Sequence, residues 1–187
     1  MRFTPTLIPD VIRIEPEVHR DARGFFLETW RADRWSAGGV PGPFVQDNHS
    51  RSRAGTLRGL HAQRLRPQGK LVRVVRGEIW DVAVDIRRGS PSYAGHVAEQ
   101  LSAENFVQLW IPPGFAHGFV VLSDEAEIEY RCTDYYDASD ELRIAWNDAT
   151  LAIPWPVAEP LLSEADRRAP PLAELEAQLP RWTGRGA

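Results

Sequence analysis

Cysteine is nearly absent from this chain: Cys132 is the only one in 187 residues. That excludes an intrachain disulfide and fits a reducing compartment. Long apolar runs are absent too, and none approaches the roughly 20 residues that a membrane span needs. The opening stretch Met1–Pro9 has neither the apolar segment nor the small-residue cleavage site of a secretory signal, so a cytoplasmic setting is expected. No sign of charge dominates. A formal net charge of −4 carries no electrostatic footprint for duplex nucleic acid, although a local cluster of arginine and lysine can still hold a small anion. Internal repeats, low-complexity tracts and long linkers are missing. The expectation is one domain over residues 1–187, with a tail from about residue 156 packed on it.

What is present is a pattern of period two, in short runs broken by Gly, Pro, Asp and Asn. It predicts strands at Val11–Ile14, Phe25–Trp30, Phe44–Ser50, Thr56–Gln63, Lys70–Arg76, Glu78–Ile86, His96–Leu101, Val107–Ile111, His117–Leu122 and Glu125–Cys132, with a short one at Leu142–Trp146. Gly77 reads as the turn of a tight hairpin between two of these runs. Helix is expected only at Ala32–Ser36 and, more clearly, at Leu172–Gln178. Many short strands without βαβ alternation imply an all-β fold, an antiparallel jelly-roll sandwich or barrel with short peripheral helices.

Two polar clusters interrupt this apolar pattern. In the first, Gln46, Asn48 and Ser50 share one strand face, which makes a poor core unless it lines a wet pocket. Arg58 and His61 follow at a spacing that a regular strand points to opposite faces. Gly59 between them permits a bulge that brings both into one cavity. The second cluster is the turn Pro112-Pro-Gly114 feeding a strand that begins at His117. On the run Glu125–Cys132, Tyr130 shares a mostly apolar face with Ala126, Ile128 and Cys132 and so points inward. Asp81 shares a face with Ile79 and Ala83 and is expected to line the same cavity.

The order of these clusters resembles the two motif blocks of the cupin superfamily. Where metal-binding cupins carry His-x-His, this chain has His61-Ala-Gln63; where they carry a ligating Glu, it has Lys70, with six residues between it and Gly77. An ammonium in a carboxylate's place argues against a metal, so none is expected. More narrowly, the chain resembles the dTDP-4-dehydrorhamnose 3,5-epimerase family from about Ile8 to Pro171. The stretches that carry the likeness are Asp21-Ala-Arg-Gly-Phe-Phe-Leu-Glu28, Gln46-Asp-Asn-His-Ser50, Leu57-Arg-Gly-Leu-His61, Gln68-Gly-Lys-Leu-Val-Arg73, Asp81-Val-Ala-Val-Asp-Ile-Arg87, Tyr130-Arg-Cys-Thr-Asp-Tyr-Tyr136, Trp146-Asn-Asp148 and Leu162-Ser-Glu-Ala-Asp166.

The resemblance implies an acid–base epimerisation beside a 4-keto group, with no cofactor. Histidine's ordinary pKa of about 6.5 lies close to neutral pH, which suits His61 to the role of base. Asp166 is implied as its partner, Lys70 as the charge facing the enolate, and Tyr130 as the acid. Arg23 and Arg58 are implied on the diphosphate, where guanidinium forks suit phosphate oxygens. Glu28, Gln46 and Asn48 match positions around the nucleoside, and Phe26 and Asp47 fall in the same matching stretches. Tyr136 matches a ring that stacks on thymine; His117 and Glu141 match further substrate contacts. The implied partner is a dTDP-linked 4-keto-6-deoxy sugar, and the implied assembly is a homodimer, with Arg23 available to the neighbouring subunit.

The chain departs from the family at Ala62, where an aromatic is frequent, and at Ala165, where some members carry a lysine. A relative that inverts C3 or C5 alone stays open on the same residues. So do a metal-dependent cupin using His61 and His117, and a non-catalytic nucleotide-sugar binder. The Ser163-Glu-Ala-Asp166 run also reads as a helix-capping box.

Overall fold

The computed structural model describes residues 1–184. In chain order its elements are β1 (Arg2–Pro5), β2 (Ile12–Glu15), β3 (Val18–Asp21), β4 (Gly24–Leu27), α1 (Ala32–Ala37), β5 (Gln46–Arg53), β6 (Leu57–Gln63), β7 (Lys70–Arg76), β8 (Glu78–Asp85), β9 (His96–Ser102), β10 (Gln108–Ile111), β11 (Phe115–Val121), β12 (Glu125–Cys132), β13 (Glu141–Arg143) and α2 (Glu164–Arg167). A six-stranded sheet runs β1-β2-β10-β7-β12-β5, and a five-stranded sheet runs β13-β6-β11-β8-β9. Every named ladder is antiparallel. The all-β, two-sheet, cupin-like architecture expected from the period-two runs is therefore the one observed.

Alternation decides which side chains meet between the sheets. On β12, Ala126 and Ile128 join Val72, Val74, Ile79, Ala83, Phe115 and Phe119 in the central core, and Tyr130 packs against them. The intervening Glu129 and Arg131 face outward, toward Arg73 at 2.7 Å and Asp47 at 3.7 Å respectively. β11 is buried at every position because both of its faces are covered. Its outer face lies under a second cluster in which Leu172, Leu175 and Leu179 of the C-terminal segment pack on Leu60, Val82 and Ala116. Residues 185–187 of the expected tail lie outside the described residues.

Three local expectations change. Gly77 does turn the chain, at φ +73, but no hairpin forms there. β7 pairs with β10 and β12, whereas β8 pairs with β9 and β11, so the turn carries the chain from one sheet to the other. Leu172–Gln178 is a 3-10 segment and not an α-helix; the i, i+3 pair Leu172 and Leu175 stacks on one side of it. The strand expected over Phe25–Trp30 ends at Leu27, and β3 and β4 pair only with each other among the described strands. Among those residues, no helix is long and apolar enough to cross a membrane.

Candidate active site

At one end of the sandwich the core gives way to a cavity of about 260 Å³. The six-stranded sheet contributes Gln46 and Asn48 from β5, Lys70 from β7, and Tyr130 and Cys132 from β12; the five-stranded sheet contributes His61 and Gln63 from β6 and Glu141 from β13, with Tyr136 at the mouth. The volume lies below the roughly 300–1,000 Å³ usual for ligand pockets, so it suits a sugar ring, and a nucleotide attached to that ring must extend beyond it.

A bulge sets the geometry of β6. Against β11, His61 is opposite His117 and Arg58 is opposite Phe119, so three steps on one strand match two on the other. The extra residue puts Arg58 and His61 on the same inward face, as the glycine between them allows. Gly59 has φ +135, and a Cβ there would stand 2.5 Å from Gly118 Cα. Arg58 then donates from Nε to Ser52 Oγ at 3.0 Å, close enough for its charge to act on Tyr130.

His61 Nε2 lies 2.6 Å from Asp166 Oδ1, and the Asp166 side chain is only 4% exposed. Burial alone would raise the pKa of Asp166. The hydrogen bond and charge of His61, then Ser163 and Arg143, outweigh it and hold the carboxyl below its ordinary value. An ionised Asp166 only accepts, so Nε2 of His61 is the donor and Nδ1 carries the lone pair. The capping reading holds as well: Ser163 Oγ accepts from the Asp166 backbone N–H at 3.0 Å. Arg143 Nη1 approaches the same Asp166 oxygen at 3.2 Å.

Burial lowers the pKa of Lys70, against the opposing fields of Cys132, Asp81 and Glu141. Burial raises that of Tyr130, and the Arg58 charge only partly offsets it. Asp81 is fully buried and receives His117 Nε2 at 2.8 Å; among the described residues its second oxygen has no hydrogen-bond partner. Gln63, at the position of the second cupin histidine, turns its amide to two loops, one after β6 and one after β12. It donates to Tyr135 O and Arg66 O and accepts from Asp137 N. Gln46 accepts from Tyr136 N, and Gln68 donates to Asp134 O. Three glutamines thereby hold the loop that carries Tyr136. Among the described residues, no group of three His, Cys, Asp or Glu side chains converges as a metal cage requires.

Comparison with known proteins gives this geometry a family. A model of the dTDP-4-dehydrorhamnose 3,5-epimerase family matches residues 5–174. The chain belongs to this family. It is 54% identical over 178 residues to the dTDP-4-dehydrorhamnose 3,5-epimerase of Pseudomonas aeruginosa, covering 94% of this chain and 98% of that one. Its fold matches that of the dTDP-6-deoxy-D-glucose-3,5-epimerase of Legionella pneumophila, solved with dTDP-4-keto-L-rhamnose, at TM-score 0.94 and 49% identity, covering 97% and 98% of the two chains. A 3'-monoepimerase of Streptomyces bikiniensis, in complex with dTDP-quinovose, matches at TM-score 0.89 and 35% identity, covering 95% and 92%.

For a member of this epimerase family, the single chain assembles only part of the expected site. His61, Lys70, Tyr130, Gln46, Asn48, Tyr136 and Glu141 line the cavity, with Asp166 behind His61. His117 lies on the same sheet face as His61, and Arg58 is joined to that face by the bulge. Four residues are not brought in. Asp47 lies on the outer face of β5, in a separate recess with His49, Arg73 and Arg131. Arg23, 90% exposed, pairs with Asp21 at the tip of the β3–β4 hairpin. Phe26, 71% exposed, belongs to the same hairpin, and Glu28 beyond it pairs with Arg34 at 3.0 Å. Arg23 and Phe26 share one reason, a hairpin that pairs with no third strand, whereas Glu28 is held by Arg34 of α1. Sequence reasoning missed Arg143 and the loop-holding role of Gln63 and Gln68. The amide at the metal-ligand position was the signal for Gln63; Arg143 had none.

Proposed function

We propose that this chain converts dTDP-4-dehydro-6-deoxy-D-glucose to dTDP-4-dehydro-L-rhamnose by epimerising C3 and C5, without a cofactor. The 4-keto group acidifies the hydrogens on both neighbouring carbons. His61 Nδ1 takes one of them, and the electron pair moves onto the C4 oxygen as an enolate. The Lys70 ammonium faces that oxygen and stabilises it most as charge develops. Tyr130 returns a proton from its hydroxyl to the opposite face of the carbon. The Tyr130 phenolate and His61 imidazolium then exchange protons with water to reset the site. The observation that carries this reading is the convergence of base, cation and phenol on one sugar-sized cavity, with an ionised Asp166 behind the base.

Around that centre we assign His117 and Glu141 to sugar contacts, Tyr136 to stacking on thymine, Gln46 and Asn48 to the nucleoside side, and Arg58 to the diphosphate. Arg23, Phe26 and Glu28 act in a neighbouring subunit, in a homodimer; the exposure of Arg23 and Phe26 on a hairpin that pairs with no other strand supports that arrangement for those two. The whole of residues 1–187 works as one domain in the cytoplasm. Higher identity to the bifunctional relatives than to the 3'-monoepimerase favours inversion at both carbons.

The test is an NMR time course in deuterated buffer with dTDP-4-dehydro-6-deoxy-D-glucose. Deuterium entering C3 and C5, with rhamno-configured product, is expected from the wild type and lost in His61→Ala. Exchange at one carbon alone would make the enzyme a monoepimerase. No exchange in folded, nucleotide-bound protein would leave a binding site without chemistry.

A further inference from the structure

Arg143 stands beside the His61–Asp166 pair and has no part in the proton transfers above. In β13 it is directly opposite His61 on β6, so both side chains leave the sheet on one face. Its Nη1 reaches Asp166 Oδ1 at 3.2 Å, the same oxygen that takes His61 Nε2 at 2.6 Å. Its Nη2 donates to Glu141 Oε2 at 2.5 Å, and Glu141 lines the cavity together with Tyr136. One guanidinium fork thus joins two carboxylates, one behind the base and one in the cavity wall.

We propose that Arg143 is a positioning residue, which fixes the Asp166 carboxylate behind His61 and divides that carboxylate's charge between the base and itself. The inference rests on the reading of His61 as the base. An Asp166 anion serving His61 alone would grip the imidazolium and keep the proton. Shared with Arg143, it orients the ring while letting the proton leave, as each turnover requires. The second arm ties this setting to Glu141 in the cavity wall, so the base and that wall keep a fixed relation. A lysine supplies the charge but not a planar fork spanning both carboxylates.

Other charges face the pair from each neighbouring element. Glu141 lies on β13, and His117 on β11 is already bound to Asp81 of β8. Lys70, Tyr130 and Cys132 line the cavity across from His61. Next to Asp166 in sequence, Glu164 pairs at the surface with Arg167 and Arg168. Among the described residues, only Arg143 and His61 pair with the Asp166 carboxylate, and of the two Arg143 carries the fixed charge.

The experiment measures the pH profile of kcat/KM for deuterium exchange in wild type, Arg143→Met, Arg143→Gln, Arg143→Lys and His61→Asn. Without the guanidinium charge the pair takes up a proton at higher pH. The acid limb of Arg143→Met is therefore expected to move up by roughly half to one pH unit, discounted for its partial exposure. The plateau should fall about tenfold through kcat more than through KM, from loss of alignment. Arg143→Lys should restore the limb but not the plateau. Arg143→Gln, which keeps polar arms without charge, should share the shifted limb, and it serves if Arg143→Met is unstable. A wild-type limb and plateau in either neutral variant would overturn the inference. Exchange abolished by His61→Asn yet indifferent to Arg143→Met would overturn it alone; exchange surviving His61→Asn would overturn the base assignment beneath it.

Discussion

The same burial acts on Lys70 and Tyr130 in opposite senses, because it disfavours whichever form is charged. It brings the ammonium below its ordinary value of 10.5 and the phenol above its ordinary value of 10.0. Burial thus makes the Lys70 proton easier to lose and the Tyr130 proton harder to lose, and once Lys70 is neutral the enolate lacks its stabilising charge. The alkaline limb of kcat is expected to report Lys70. Lys70→Arg should carry that limb upward, because a guanidinium keeps its charge throughout the range. Lys70→Met should abolish the limb and lower the plateau by about 10²–10³-fold, the usual effect of losing one oxyanion partner. A pH–rate series on the three proteins checks both. Tyr130→Phe separates the two halves of the reaction: His61 still removes hydrogen, so exchange persists, whereas inversion falls by about 10²–10⁴-fold. Proton NMR of exchange and product configuration in one tube reads this, and equal loss of both would remove Tyr130 from the role of acid.

At the scale of elements, β6 holds two devices that do different work. Its bulge aligns Arg58 with His61, and its last residue, Gln63, holds the Tyr136 loop. Gly59→Ala drives a methyl into Gly118 across a spacing of 2.5 Å at a positive φ. It is expected to destabilise the fold by about 1–3 kcal/mol, read as a Tm lower by roughly 2–4 °C per kcal/mol. Gln63→Ala removes two hydrogen bonds to the Tyr136 loop and one to Arg66 without touching the proton-transfer groups. It should raise KM for the nucleotide sugar about tenfold with kcat nearly unchanged, and steady-state kinetics separates it from a stability defect. Much of this element level is legible in the sequence. The alternation of Ala126, Ile128, Tyr130 and Cys132 with Glu127, Glu129 and Arg131 gives the direction of Tyr130, and the spacing of Arg58, Gly59 and His61 foretells the bulge. The pairing of Asp166 with His61 came through family resemblance, since no local period links a helix near the C-terminus to β6. Arg143 was silent for a related reason: its meaning lies in the register of β13 against β6, which neither strand encodes alone. Gly77 misled because a glycine turn looks the same whether the next strand joins the same sheet or the opposite one.

The molecule as a whole is left with an imbalance. Arg23, the expected diphosphate ligand, sits on a hairpin whose two strands pair only with each other, and Phe25 and Phe26 on it are 56% and 71% exposed. Phe25 rests on Phe106 of its own chain, ring centroids 4.8 Å apart, but the area that both aromatics still expose favours cover by another surface. A second copy would supply that surface symmetrically, because in a two-fold dimer each hairpin would reach the partner as the partner's reached back. If Arg23 serves the neighbour's cavity, every active site is built from two chains, and a defect in the hairpin and a defect in the cavity can complement. Arg23→Ala and His61→Ala homodimers should each be nearly inactive. Mixed one to one and allowed to exchange, half the dimers become heterodimers, each with one site intact in both parts and one site doubly defective. Activity should then recover to about a quarter of wild type, the share that random pairing in a two-fold dimer sets. The rise should follow subunit exchange in time and vanish when exchange is prevented by crosslinking the parent dimers. If light scattering shows a dimer but the mixture stays inactive, Arg23 acts within its own chain or not on substrate. A monomer with full activity would mean that the hairpin folds back onto its own cavity when substrate binds.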